Sequence, residues 1–186
     1  MKTAIFGGTF DPIHRAHLIV AREAADAFEL DRVLFIPAAN PPHKEAGASF
    51  DDRYKMVELA CAGEPRFVPS RLEAGREKSY SIHTIERVKA QPGAGQVFFV
   101  IGSDAFAEIR SWHRWEDVVR AVEFIVVSRP GHTYSIPPGA RVHRLETVAL
   151  PVSSSETRQA LARGDTPEEL PPAVAEYIHA HSLYRG

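Results

Sequence analysis

Short apolar, β-branched runs alternate with helix-periodic segments along nearly the whole of this 186-residue sequence. Lys2 to Phe6 reads as a strand, followed by a turn at Gly7-Gly8 and a loop through Asp11-Pro12. From Ala16 to Phe28 the apolar residues Leu18, Ala21, Ala25 and Phe28 keep helical spacing. A second strand, Val33 to Ile36, closes at Pro37, and Ala38 to Phe50 is expected to be loop because Pro41-Pro42 excludes helix. A helix is expected from Asp52, with Asp51 as its N-cap and Gly63 as its stop. Phe67-Val68 is a short third strand, Ser81 to Ala90 a helix, and Val97 to Ile101 a run suited to a buried parallel strand. A helix at Trp115 to Ala121 and strands at Phe124 to Val127 and Arg141 to Ala149 follow. Two helices, Glu156 to Arg163 and Pro172 to His181, complete the pattern.

This alternation demands a parallel sheet covered on both faces. The expected fold is therefore α/β: a Rossmann-like doubly wound parallel sheet with helices on both faces and a small C-terminal helical part, in a single domain over residues 1–186. Ligands of such sheets bind where loops leave the carboxyl ends of the strands. The chemically suggestive residues lie in just those places.

Composition narrows the function classes. The net charge is only -2, with no basic stripe, so nucleic acid is not an expected partner. No stretch approaches the roughly 20 apolar residues that cross a bilayer, and the first strand begins without a basic leader. The expectation is a soluble, cytoplasmic chain with no membrane partner. The single cysteine, Cys61, sits among apolar residues at helical spacing and reads as a buried thiol.

Four segments carry the chemistry. The first runs Gly7-Gly8-Thr9-Phe10-Asp11-Pro12-Ile13-His14-Arg15-Ala16-His17. Small residues after a strand let backbone amides approach a ligand, and the following helix start attracts anions. It lacks the third glycine of a dinucleotide fingerprint and the lysine of a Walker loop. Instead two histidines stand three apart on one helix face, able to donate to a phosphate gaining charge. A capped turn with ordinary surface histidines is the plain alternative, and a zinc site completed by His43 another. The second segment is Val152-Ser153-Ser154-Ser155-Glu156-Thr157-Arg158, where Ser153 and Glu156 have capping-box spacing. The third, Gly102-Ser103-Asp104 continuing to Ser111-Trp112-His113-Arg114-Trp115, starts where a buried strand ends. Trp115 reads as packing. The fourth, Asn40-Pro41-Pro42-His43-Lys44 with Arg53 beyond, holds a lysine on a stiff loop; an exposed basic loop is the plain alternative.

The first segment resembles the Gly-Thr/Ser-Phe-Asp-Pro-(Ile/Val)-His-x-x-His signature of the nucleotidyltransferase superfamily with the HxGH motif. The fourth, together with Ser79-Tyr80-Ser81-Ile82-His83-Thr84 and Arg129-Pro130-Gly131, resembles its nicotinate-nucleotide adenylyltransferase branch. The resemblance runs from Gly7 to Arg158 with the motifs in family order. It implies transfer of the adenylyl group of ATP to nicotinate mononucleotide, giving deamido-NAD and pyrophosphate in NAD biosynthesis. Catalysis would fall to His14, His17, Lys44 and Arg158. ATP would meet Gly7, Gly8, Thr9, Phe10, His14, His17, Gly102, Asp104, Arg129, Ser154, Ser155 and Arg158. The pyridine substrate would meet Asn40, Lys44, Ser81, Ile82, Thr84, Trp112 and His113. Mg2+ would ride mainly on the ATP phosphates, and no metal site made by the protein alone is expected. The oligomeric state, a homo-oligomer included, is left open. Two positions depart from the family pattern: Ala16 stands where glycine is usual, and His83 where an acidic or amide residue is common. Another nucleotidyltransferase, using nicotinamide mononucleotide or pantetheine phosphate, or a nucleotide-binding protein without chemistry, would share some of these motifs.

Overall fold

The apolar runs become strands because each is covered on both faces, as the computed structural model shows over residues 1–39, 47–75, 80–148 and 153–185. In chain order the elements are β1 (Lys2–Gly8), α1 (Arg15–Ala27), β2 (Arg32–Pro37), α2 (Phe50–Cys61), β3 (Phe67–Pro69), α3 (Ser81–Ala90) and β4 (Gln96–Gly102). Then come α4 (Ser103–Ala107), a 3-10 turn at Ile109–Ser111, α5 (Trp115–Ala121), β5 (Glu123–Ser128), β6 (Arg141–Glu146), α6 (Ser154–Ala162) and α7 (Pro172–Ala180). Among the described residues six strands form one sheet in the order β3-β2-β1-β4-β5-β6. Every neighbouring pair is parallel. This is the doubly wound α/β sheet the alternation demands.

Successive strand residues feed opposite cores. Ala4, Val33, Phe35, Phe98 and Val100 pack with α1, α2 and α7 on one face. Ile5, Leu34, Ile36, Phe99 and Ile101 pack with α3, α4 and α5 on the other. A strand buried on both faces has no polar side to show, so its sequence reads as an unbroken apolar run. Cys61 lies in the first of these cores, and burial pushes its thiol up to about 12. Trp115 packs against the second.

The chain builds outward from β1 to β2 and β3, then returns to place β4 on the other side of β1. Loops leaving β1 and β4 therefore diverge, and a crevice opens between them at the carboxyl edge. That edge is where Gly7, Gly8 and Gly102 lie.

Local differences from the sequence reading have local causes. Helix α2 begins at Phe50, and its N-cap is Ser49, whose hydroxyl accepts from the Asp52 amide at 3.1 Å. Asp51 is left in the first turn, where its charge favours the helix dipole. The last strand closes at Glu146; Ala149, the end expected for it, lies outside the described residues. Helix α4 was not apparent in the sequence because it is a single short turn directly capped by Gly102.

Two loops at the carboxyl edge are stapled by one buried cation. Arg53, in the first turn of α2, is 1% exposed. Its Nε donates to the Ala48 carbonyl at 3.2 Å, and its Nη1 donates to the Thr9 and Ala38 carbonyls at 2.9 and 2.7 Å. The guanidinium thus ties the loop after β1 to the loop after β2 and to the start of α2. Burial pulls its pKa down, while Asp11 and Tyr184 push it back up. Asp11 receives the amides of Gly47 and Ala48 at 2.5 and 3.1 Å and the Tyr184 hydroxyl at 2.5 Å. Removing one member leaves buried carbonyls or charges without partners. Arg53→Met is therefore expected to lower the unfolding free energy in a urea titration by about 3–5 kcal/mol. Arg71→Met, which breaks an exposed pair with Asp51, is expected to cost no more than about 1 kcal/mol.

Candidate functional site

The crevice holds two adjoining cavities. The larger, about 410 Å³, is bordered by Gly7, Gly8, Thr9, His14, Ala16 and His17 on the β1–α1 side. Gly102, Ala105 and Trp112 border it from the β4 side, and Glu73, Ser81 and Thr84 from α3 and the loop before it. The smaller, about 190 Å³, is bordered by Gly7, Gly8, Thr9, Phe10, Asp11, His17, Ser154 and Arg158. His17 and the Gly7–Thr9 backbone belong to both, so the two cavities meet at the start of α1.

That start is built from the two histidines. His14 is the N-cap of α1 and His17 its third residue. Their rings stack with centroids 3.8 Å apart and planes 22° from parallel. The His14 amide donates to His17 Nδ1 at 3.1 Å, which leaves the His17 proton on Nε2 as a free donor. Phe6 and Phe10 pack against the His17 ring, Phe10 edge-on at 5.1 Å. Phe10 itself is 3% exposed and takes a left-handed φ of 50°, so its ring lies under the glycine loop and supports it. A side chain on Gly8 would press on that ring at 3.4 Å.

Burial decides the charge state here. It drives the His14 imidazole down to about 4, only partly opposed by Glu169. His17 is driven well below its ordinary value, first by burial and then by His14. Both are neutral donors near pH 7. His14 Nδ1 finds no hydrogen-bond partner among the described residues.

On the far wall Ser153 caps α6, its hydroxyl accepting from the Glu156 amide at 3.4 Å. Ser154 Oγ donates to the Pro12 carbonyl at 3.2 Å, and Arg158 Nη1 to the Asp11 carbonyl at 2.9 Å. The serine and the arginine therefore grip the β1–α1 loop while bordering the smaller cavity. Ser155 is exposed in the first turn of α6 and borders neither cavity.

The remaining expected residues are spread more widely. Trp112 meets Phe99 edge-on at 5.8 Å and faces the larger cavity. Ile82 is 2% exposed in the core, so it can offer a ligand only its backbone. His113 is exposed and stacks on Tyr80 at 4.4 Å. Asp104 is fully exposed on α4, 4.0 Å from His132 Nε2, and Arg129 is exposed just after β5. Asn40, His43 and Lys44 lie outside the described residues. Among the described residues no group of three or more His, Cys, Asp or Glu side chains could hold a metal ion. Glu73, which borders the larger cavity, was not singled out in the sequence. It lies in the charged stretch Arg71-Leu72-Glu73-Ala74-Gly75, which carries no mark separating it from a solvated turn.

The doubly wound sheet carries this stacked histidine pair at the start of its first helix, and comparison with known proteins gives the family. Residues 5–160 match the cytidylyltransferase-like family. A Solibacter usitatus protein named "Probable nicotinate-nucleotide adenylyltransferase" is 61% identical, covering 99% of this chain and 100% of its own length. One of the same name from Leifsonia xyli is 40% identical, covering 100% of this chain and 94% of its own. This chain belongs to the cytidylyltransferase-like family and, within it, to the nicotinate-nucleotide adenylyltransferases. The fold is shared with Plasmodium falciparum nicotinic acid mononucleotide adenylyltransferase in complex with NaAD, at a TM-score of 0.82 and 21% identity over 98% of this chain and 97% of that one.

The buried neutral histidines make stability depend on pH. Above pH 6.5 neither the folded nor the unfolded chain protonates them; between 6.5 and about 4 the unfolded chain takes up the His14 proton and the folded chain does not. Stability is therefore full above 6.5 and falls as the pH drops, at up to about 1.4 kcal/mol per pH unit for each such histidine. In urea titrations from pH 7 to 4.5, His14→Gln is expected to show a shallower loss than the wild type.

Proposed function

We propose that this chain transfers the adenylyl group of ATP to nicotinate mononucleotide, yielding nicotinate adenine dinucleotide and pyrophosphate. The observation that carries the reading is the stacked His14–His17 pair, which opens into the same cavity as Trp112, Ser81 and Thr84. Phosphate donors and a platform for a flat ring stand at two ends of one crevice. The 5′-phosphate oxygen of the mononucleotide attacks the α-phosphorus of ATP in line. A new P–O bond forms as the bond to the β-phosphate bridging oxygen breaks, and pyrophosphate carries that electron pair away. The nucleophile belongs to the substrate, so the chain needs no nucleophilic side chain of its own. Its work is positioning and stabilisation of charge.

In this reading His17 Nε2 and the His14 ring donate to the α-phosphate as its charge grows. A neutral donor buried in low dielectric is worth more to a developing anion than the same donor in water. Arg158 and Lys44 follow the leaving pyrophosphate, with Ser154, Ser155 and the α6 amides along it, and the planar guanidinium suits phosphate. Gly102, Asp104 and Arg129 border the adenosine, and Trp112 stacks on the pyridine ring. Asn40, Ser81, Thr84 and the backbone of Ile82 and His113 surround the nicotinate end. Magnesium fits this site as a rider on the polyphosphate, since the described residues around the cavities offer histidines and an arginine rather than a carboxylate cluster. When bound it neutralises phosphate charge and keeps several of its waters. ATP and a mononucleotide acceptor are cytoplasmic metabolites, which puts the chain in the cytoplasm; among the described residues no helix is long and apolar enough to cross a membrane.

Pyrophosphate release with ATP and magnesium, measured separately with nicotinate mononucleotide, nicotinamide mononucleotide and phosphopantetheine, tests the acceptor. Release is expected to be fastest with the nicotinate acceptor, and release with another acceptor alone would overturn the reading. His17→Ala is expected to lose roughly 10²-fold or more in kcat. Near-normal turnover would remove that ring from the mechanism.

A further inference from the structure

Glu73 lies in the turn between β3 and α3 and is 7% exposed. Buried carboxylates ordinarily have both oxygens occupied by donors. Here Thr84 Oγ1 donates to Oε2 at 3.0 Å, while Oε1 has no hydrogen-bond partner among the described residues. The side chain borders the larger cavity beside Ser81, Thr84 and Trp112, and among the described lining residues it is the sole acidic one. No lysine or arginine is among them. The carboxylate is pinned on one oxygen and offers the other to whatever fills the cavity.

We propose that Glu73 is a specificity-determining residue, its unpartnered oxygen serving as counter-charge to the quaternary ring nitrogen of a pyridinium mononucleotide. The proposal rests on the acceptor reading given above. An N-glycosylated pyridine carries a fixed positive charge at every pH. That nitrogen has no proton to donate, so a protein can recognise it only through space, by a carboxylate or an aromatic face. Glu73 and Trp112 supply one of each around the same cavity. The arrangement also orients the ring: the nicotinate carboxylate is repelled by Glu73 and turns away from it. Because Thr84 holds Oε2, the charge stands in place before the substrate arrives.

Glu73→Gln is the direct test, because glutamine keeps the shape and an acceptor oxygen for Thr84 or for a ribose hydroxyl and loses only the charge. The expected result is a KM for nicotinate mononucleotide raised about tenfold, with kcat and the KM for ATP little changed. Activity on nicotinamide mononucleotide, whose ring charge has no neighbouring carboxylate to offset it, should fall further still, moving the kcat/KM ratio toward nicotinate. A merely structural carboxylate would not move that ratio. A second measurement needs no variant. On the wild type, N-methylpyridinium-3-carboxylate is expected to compete with the mononucleotide at about a tenth of the concentration required of 3-methylbenzoate, its uncharged-ring isostere. Wild-type kinetics in the variant, or equal competition by the two small molecules, overturns the proposal and leaves the acceptor reading standing. A wild type that releases no pyrophosphate with nicotinate mononucleotide overturns both.

Discussion

Burying an arginine is costly unless its donors are met, and meeting those of Arg53 is what shapes the carboxyl edge of this sheet. Three backbone carbonyls, one from the loop after β1 and two from the ends of the β2–α2 connection, converge on one guanidinium. Beside it Asp11 is met by two amides and a tyrosine hydroxyl. Neither charge can be withdrawn without stranding polar groups in a space closed to water. The loop after β1 is thereby held by its own backbone, and the glycines and histidines on it inherit a fixed position. A more flexible attachment would leave these residues free to shift; this one fixes them to the frame of the sheet.

The electrostatic character of the site follows from the same burial. The two imidazoles are stacked and neutral, and the backbone amide on His17 Nδ1 leaves the ring proton on Nε2. Among the described residues bordering the two cavities Arg158 is the one lysine or arginine, and it also holds the Asp11 carbonyl. The crevice thus sets the neutral imidazoles between Arg158 in the smaller cavity and the Glu73 carboxylate in the larger.

Much of this was legible in the sequence, for a physical reason. Strands buried on both faces leave unbroken apolar runs, and short polar loops after them mark the ligand edge. The Val97 to Ile101 run, the histidines spaced to share a helix face, and Ser153 before α6 all report local rules, and local rules survive in one dimension. What stayed hidden depends on contacts distant in sequence. The burial of Arg53 stays hidden because its carbonyl acceptors carry no side-chain signal. Glu73 carries no mark of its own because only the fold brings Thr84 over it. Ser49 lost the N-cap to Asp51 in the reading because both are good caps, and the choice between them falls to where the chain enters the helix.

The Tyr184 hydroxyl reaches Asp11 across 173 positions of sequence. Order of synthesis gives that bond a further meaning. The sheet, from β1 through β6, and the histidine pair are all encoded before residue 147. They can assemble while the chain is still being made, yet the carboxylate that anchors the first loop lacks one of its three donors until residue 184 has left the ribosome. A chain ended before α7 would lack that donor and also the Val174 and Ile178 side chains that cover one face of the sheet.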